Sequence, residues 1–130
     1  MSLLELLPIA AIISVVPVAL FLAAPGRKNA AHDWIFPALL SALFLAWSIA
    51  TIINEGFIGV WNNHTQSMWG NQVWFDLLIA ISIGWGFIVG PARKLGMHVY
   101  RWLFLILCTG CIGFLAMIAR FLFLQERASS

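Results

Sequence analysis

Four apolar runs, each close to the length needed to cross a bilayer, take up most of this chain and leave only short connections between them. A helix needs about 20 apolar residues to traverse hydrocarbon. The runs over residues 3–24, 34–56, 73–91 and 100–124 come near or reach that length. Composition agrees: 62% of residues are hydrophobic and 9% charged, with a mean hydropathy of +0.96, whereas soluble domains carry about 25% charged residues. A soluble fold cannot bury that much apolar surface. The expected architecture is all-α, an integral-membrane four-helix bundle in which residues 1–130 form a single transmembrane domain.

The boundaries of the runs have local causes. Pro25-Gly26 ends the first span, since proline lacks a donor and glycine accepts turn geometry. Pro17 inside it predicts a kink. Asp33 suits the N-cap of the second span. Between Trp61 and Trp69, the segment Asn62-Asn63-His64-Thr65-Gln66-Ser67 reads as a polar loop with aromatic anchors at the headgroups. The residues from Ala92 to His98 make a tight basic hairpin between the last two spans. The start, Met1-Ser2-Leu3-Leu4-Glu5, lacks the basic opening of a secretory signal, so the first run is read as a retained helix.

Orientation follows from the basic loops. Arg27 and Lys28 follow span one, Arg93, Lys94 and Arg101 follow span three, and the middle loop has no Lys or Arg. With four crossings the positive-inside rule makes the first and third loops cytoplasmic and leaves both termini outside. A bacterial inner membrane is the expected location. The basic residues form no stripe beside aromatics, which argues against nucleic acid as a partner. Asn63-His64-Thr65 fits a glycosylation sequon, a triplet common by chance.

Ionisable residues near spans are the informative ones, because a charge at mid-span costs about 2.5–3.5 kcal/mol on insertion scales. Glu55 at the end of span two, Asp76 at the head of span three and Arg120 about one turn before the end of span four fall in one outer layer of the four-span arrangement. Thr109, Gly113, Ala116 and Arg120 recur at helical spacing as a stripe of small residues that should face protein. Ser41, Ser48 and Glu55 recur every seven residues on span two. Asp76, Ala80, Ile83 and Phe87 share a face of span three.

These placements predict an outer-leaflet pocket walled by spans two to four, with Arg120 paired to Asp76 or Glu55 and with Asn54 and Gln72 nearby. Thr109 and Gly113 line it, and the deep tryptophans Trp47 and Trp85 are placed to touch an apolar ligand. Two carboxylates sharing one arginine leave one partly uncompensated, a candidate proton donor. The alternatives are a purely structural Arg120–Asp76 pair, or snorkelling of Arg120 and Glu55 to the headgroups.

No histidine lies within a span to ligate haem or chlorophyll. Cys108 and Cys111 lack the further ligands a structural zinc wants. No metal or cofactor is expected. Gly86-Phe87-Ile88-Val89-Gly90 is a small-xxx-small motif suited to helix packing within or between chains.

Three segments of the second half resemble small four-span proteins related to plant neoxanthin synthase, the abscisic-acid-deficient type, and their bacterial relatives. These are Trp74-Phe75-Asp76-Leu77-Leu78, Ala92-Arg93-Lys94-Leu95-Gly96 and Gly110-Cys111-Ile112-Gly113-Phe114-Leu115. Cys111 stands where that family would have proline. The resemblance implies a protein that handles a carotenoid- or isoprenoid-like lipid, in the plant case isomerising an epoxy-carotenoid to an allene by acid/base chemistry, with Asp76 at the family's Asp position. The competing expectation is a non-enzymatic accessory subunit that packs within a larger respiratory, photosynthetic or transport complex, or with copies of itself, and contacts membrane lipid. A carrier of protons or small solutes ranks below both, because its ionisable groups would have to be spread along a path.

Overall fold

The computed structural model describes residues 2–25 and 31–130. Among them there are six helices and no strand. The helices are α1 (Leu3–Leu22), α2 (Ile35–Glu55), α3 (Gly59–Thr65), α4 (Met68–Lys94), α5 (Val99–Thr109) and α6 (Cys111–Ser129). Three of them, α1, α2 and α4, are long and apolar enough to cross a membrane. The chain divides into two compact units, residues 1–30 and 31–130.

In the first unit α1 opens with a carboxylate at its N-terminal turn. Glu5 accepts a hydrogen bond from the Ser2 amide at 2.8 Å, which satisfies an orphan donor and places negative charge at the positive end of the helix dipole. The helix continues through Pro8 and Pro17 and buries none of its residues. Arg27 and Lys28 lie outside the described residues.

The second unit departs from the expected bundle at the fourth span. Residues 100–124 do not form one crossing helix, because the chain breaks at Gly110 (φ 63°, ψ −127°). A side chain at this conformation would collide with its own backbone, so glycine is required. Thr109 supplies the polar closure of the bend: its Oγ1 donates to the Leu105 carbonyl (2.8 Å) and accepts from the Gly113 amide (2.9 Å). Gly110 keeps both of its own backbone groups paired, donating to Ile106 and accepting from Phe114. A bend inside an apolar run therefore leaves little backbone unsatisfied.

Helix α6 then folds back along α5. A Cβ on Gly113 would lie 3.0 Å from the Leu105 carbonyl carbon and oxygen, which puts the first turn of α6 directly on the backbone of α5. Further along, Arg120 and Leu124 of α6 border the same recess as Met97, His98 and Arg101 at the start of α5.

The hairpin is held between α2 and α4. On one side α2 runs antiparallel to α6: Ser41 Oγ donates to the Ile112 carbonyl at 2.8 Å, Trp34 meets the ring of Phe123 edge-on at 5.4 Å, and the His32 amide donates to Glu126 at 3.2 Å. On the other side α4 runs parallel to α6, with Gly84 opposite Phe114 so closely that a Cβ would sit 2.6 Å from the ring. The core formed there by Ala92, Met97, Val99, Ile106 and Met117 is roofed by Trp85, Val89, Trp102 and Phe121.

Three smaller boundaries also differ from expectation. The N-cap of α2 is Trp34, not Asp33, because the Ile35 amide turns back to the His32 carbonyl. The segment read as a polar loop contains α3, whose Asn63 carbonyl packs where any Cβ on Gly70 would stand. This segment is tied down further by Ser67, which caps α4 by accepting from the Gly70 amide at 2.9 Å. That cap starts α4 at Met68, five residues ahead of the expected Val73.

At its far end α4 continues past Gly90-Pro91 to Lys94. It closes in a Schellman motif, with Gly96 at φ 77°, its amide bonded to the Arg93 carbonyl and the Met97 amide bonded to Ala92.

Candidate functional site

The structure separates the residues expected to form one outer pocket. Glu55 is the last residue of α2 and Asp76 lies in the first third of α4, both exposed and both on the side away from the hairpin's open end. Arg120 lies on α6 beside the start of α5, level with Arg101. The reason is the bend: reversing the chain at Gly110 returns α6 to the end from which α5 set out. Among the described residues no ion pair joins Arg120 to Asp76 or Glu55; the ion pair present is His32–Glu126 at 3.8 Å.

The other expected site residues disperse as well. Asn54 turns its amide back onto its own helix, donating to the Ala50 carbonyl at 2.7 Å. Gln72 lines an open recess of about 510 Å³ at the α3–α4 corner with Thr65, Asn71 and Phe75. At that corner His64 Nδ1 donates to the Gly70 carbonyl at 3.1 Å and its ring lies 5.0 Å from Trp74. Trp85 is half-buried against the core and Trp47 is exposed. Thr109 and Gly113 close the bend instead of facing a ligand. Gly86 and Gly90 have nothing near the position of a Cβ, while Gly84, two residues earlier, is the glycine that α4 uses for close packing.

Two arrangements stand out. The first is the outward face of α4, where Asp76, Ile83, Phe87 and Gly90 fall within about 60° of one another at about 100° per residue. Phe87 is 79% exposed and Ile83 57%. This face carries a carboxylate, large apolar side chains and an uncovered glycine.

The second is a recess of about 480 Å³ between α5 and α6, walled by His98, Arg101 and Arg120, with Trp102, Phe104, Leu105 and Leu124 as its apolar part. Arg120 and Arg127 both stack on Phe123, their guanidinium carbons 5.6 and 4.7 Å from the ring centre. This basic cluster was missed in the linear reading because Arg101 and Arg120 look like opposite ends of one helix. The signal that could have exposed it is Thr109-Gly110 in mid-run, together with the basic residues that accumulate toward residue 127.

Comparison with protein families, with characterised proteins and with solved structures finds no match.

Proposed function

We propose that this chain is a non-catalytic membrane subunit that works by packing against a larger membrane assembly through the outward face of α4. The carrying observation is Asp76 on that face, exposed beside Ile83 and Phe87. A carboxylate on a spanning helix requires a donor or a cation, and no ion pair to it occurs among the described residues. The uncovered Gly86 and Gly90 admit the close approach of a second helix.

The orientation that fits this reading places the open end of the hairpin in the cytoplasm. Every Lys and Arg of residues 31–130 lies there, in Arg93, Lys94, Arg101, Arg120 and Arg127. The positive-inside rule then makes the C-terminal end of α6 cytoplasmic, in place of the outward C terminus of a four-span arrangement. The Arg27-Lys28 pair keeps the N terminus outside by the same rule. A bacterial inner membrane suits such a protein.

The second reading is the handling, or acid/base isomerisation, of a carotenoid- or isoprenoid-like lipid. It draws on the three segments that resemble the abscisic-acid-deficient type and on Asp76 as the acid. With Arg120 at the other end, Glu55 and Asp76 lack the shared arginine on which the outer-pocket argument depended.

Gentle purification from the native membrane, followed by mass spectrometry of proteins and extracted lipids, decides between them. A stoichiometric set of larger membrane proteins, lost in Asp76→Asn and in Gly86→Leu/Gly90→Leu, is the expected result. A stoichiometric isoprenoid without protein partners overturns it in favour of the second reading.

A further inference from the structure

The recess between α5 and α6 gathers positive charge with no carboxylate in its wall. Arg101 and Arg120 meet there with His98. Glu126, the carboxylate of α6, is turned toward α2, where it accepts from the His32 amide at 3.2 Å. Among the described residues neither arginine has an ion pair. Arg120 is steadied over the face of Phe123, its guanidinium carbon 5.6 Å from the ring centre, a cation–π contact that satisfies none of its five N–H donors with an acceptor oxygen.

The backbone adds to the same field. Helix α5 begins at this recess with no side-chain cap at His98. The Arg101 and Trp102 amides turn back to the His98 carbonyl, while those of Val99 and Tyr100, in the first turn, have no such acceptor. Below the charged rim the wall is apolar, with Phe104 and Leu105 one turn deeper along α5 than Arg101, while Leu124 lies beside the rim. Two uncompensated guanidiniums above an apolar slot make an amphipathic site for an anion that carries hydrocarbon.

We infer that this recess binds the phosphate of an anionic phospholipid from the adjoining leaflet, with Arg101, Arg120 and His98 around the phosphate and Phe104 and Leu105 along the upper acyl chains. The arginines supply planar, paired donors suited to phosphate oxygens. Arg93 and Lys94, in the last turn of α4, do not line the recess and serve as the control for diffuse charge.

The test uses the full chain in mild detergent, titrated with phosphatidylglycerol or phosphatidylcholine and read by native mass spectrometry. One phosphatidylglycerol per chain is expected to be retained in preference to phosphatidylcholine. Arg101→Gln/Arg120→Gln weakens that retention roughly 30-fold, and Arg93→Gln/Lys94→Gln changes it by less than about threefold. Arg101→Lys/Arg120→Lys, which keeps both charges and so guards against a folding artefact, recovers most of the preference. Equal retention of the two lipids overturns the proposal, as does an equal loss in the Arg93/Lys94 variant. Displacement by millimolar inorganic phosphate also overturns it, because the site would then be one for the free anion.

Discussion

The two ends of the 31–130 unit are built on opposite plans. In the half that holds the hairpin, α2, α4, α5 and α6 are all present, cross-linked by Ser41 near the bend, by Trp34 and Phe123 near the open end and by the Met117 core between them, and all the lysines and arginines of the unit gather toward the open end. Beyond the Gly110 bend only α2 and α4 continue, each for about 20 Å at 1.5 Å per residue, with α3 folded onto the head of α4. The carboxylates Glu55 and Asp76 lie in this second region. The contrast teaches that a hydrophobic run of spanning length need not span. Here it was spent on consolidating one half of the unit, and the other half kept its apolar faces uncovered.

The sharpest way to break this contrast is a labelling experiment with an all-or-none result. A membrane-impermeant maleimide should reach a cysteine placed at Asn62 in intact cells but reach one at Ser129 only after permeabilisation; labelling of both from outside would restore a crossing fourth span. Next in size is the bend itself. Gly113→Leu drives a side chain into the α5 backbone and should lower stability by about 3 kcal/mol, measured by unfolding in mixed detergent micelles. Gly110→Ala, strained at its positive φ, should cost about 1–3 kcal/mol.

Truncation of Met117, which is fully buried, should cost about 2 kcal/mol, near the low end for buried Met→Ala because lipid already solvates apolar surface and the cavity term remains. The smallest effect is expected for Ser41→Ala, about 0.6 kcal/mol, typical of one interhelical hydrogen bond in a membrane protein. If Ser41→Ala proved as damaging as Gly113→Leu, the α2–α6 seam and not the bend would be the organising feature.

Much of this was legible in the residues, and the failures have physical causes. Helices α1, α2 and α4 follow from hydropathy alone, since length and apolar content decide whether a segment can cross. Hydropathy is blind to the break at Gly110, because a turn made of Thr, Gly and Cys is nearly as apolar as the helix around it. Depth assignments inherit that error: counting along a straight helix puts Arg120 in the same layer as Asp76, whereas the reversal at Gly110 places it at the opposite end. The α3 helix was hidden for the converse reason, as its Asn and His residues look like loop until Gly70 gives them a surface to pack on. Asp76, Ala80, Ile83 and Phe87 do share one side of α4, since that depends only on periodicity within one unbroken helix, but the side is exposed instead of facing a pocket.

The bend also bears on how the unit is assembled. Helices α5 and α6 start and finish at the same end, so with that end in the cytoplasm, as proposed above, Arg120, Glu126 and Arg127 never have to be carried through hydrocarbon during synthesis. The hairpin can enter last, as a wedge pushed between α2 and α4 from the side on which it was made. Insertion of the C-terminal third then becomes a folding step that needs its neighbours in place, not a translocation step, and a chain stopped before Gly110 would leave α2 and α4 without the element that ties them together.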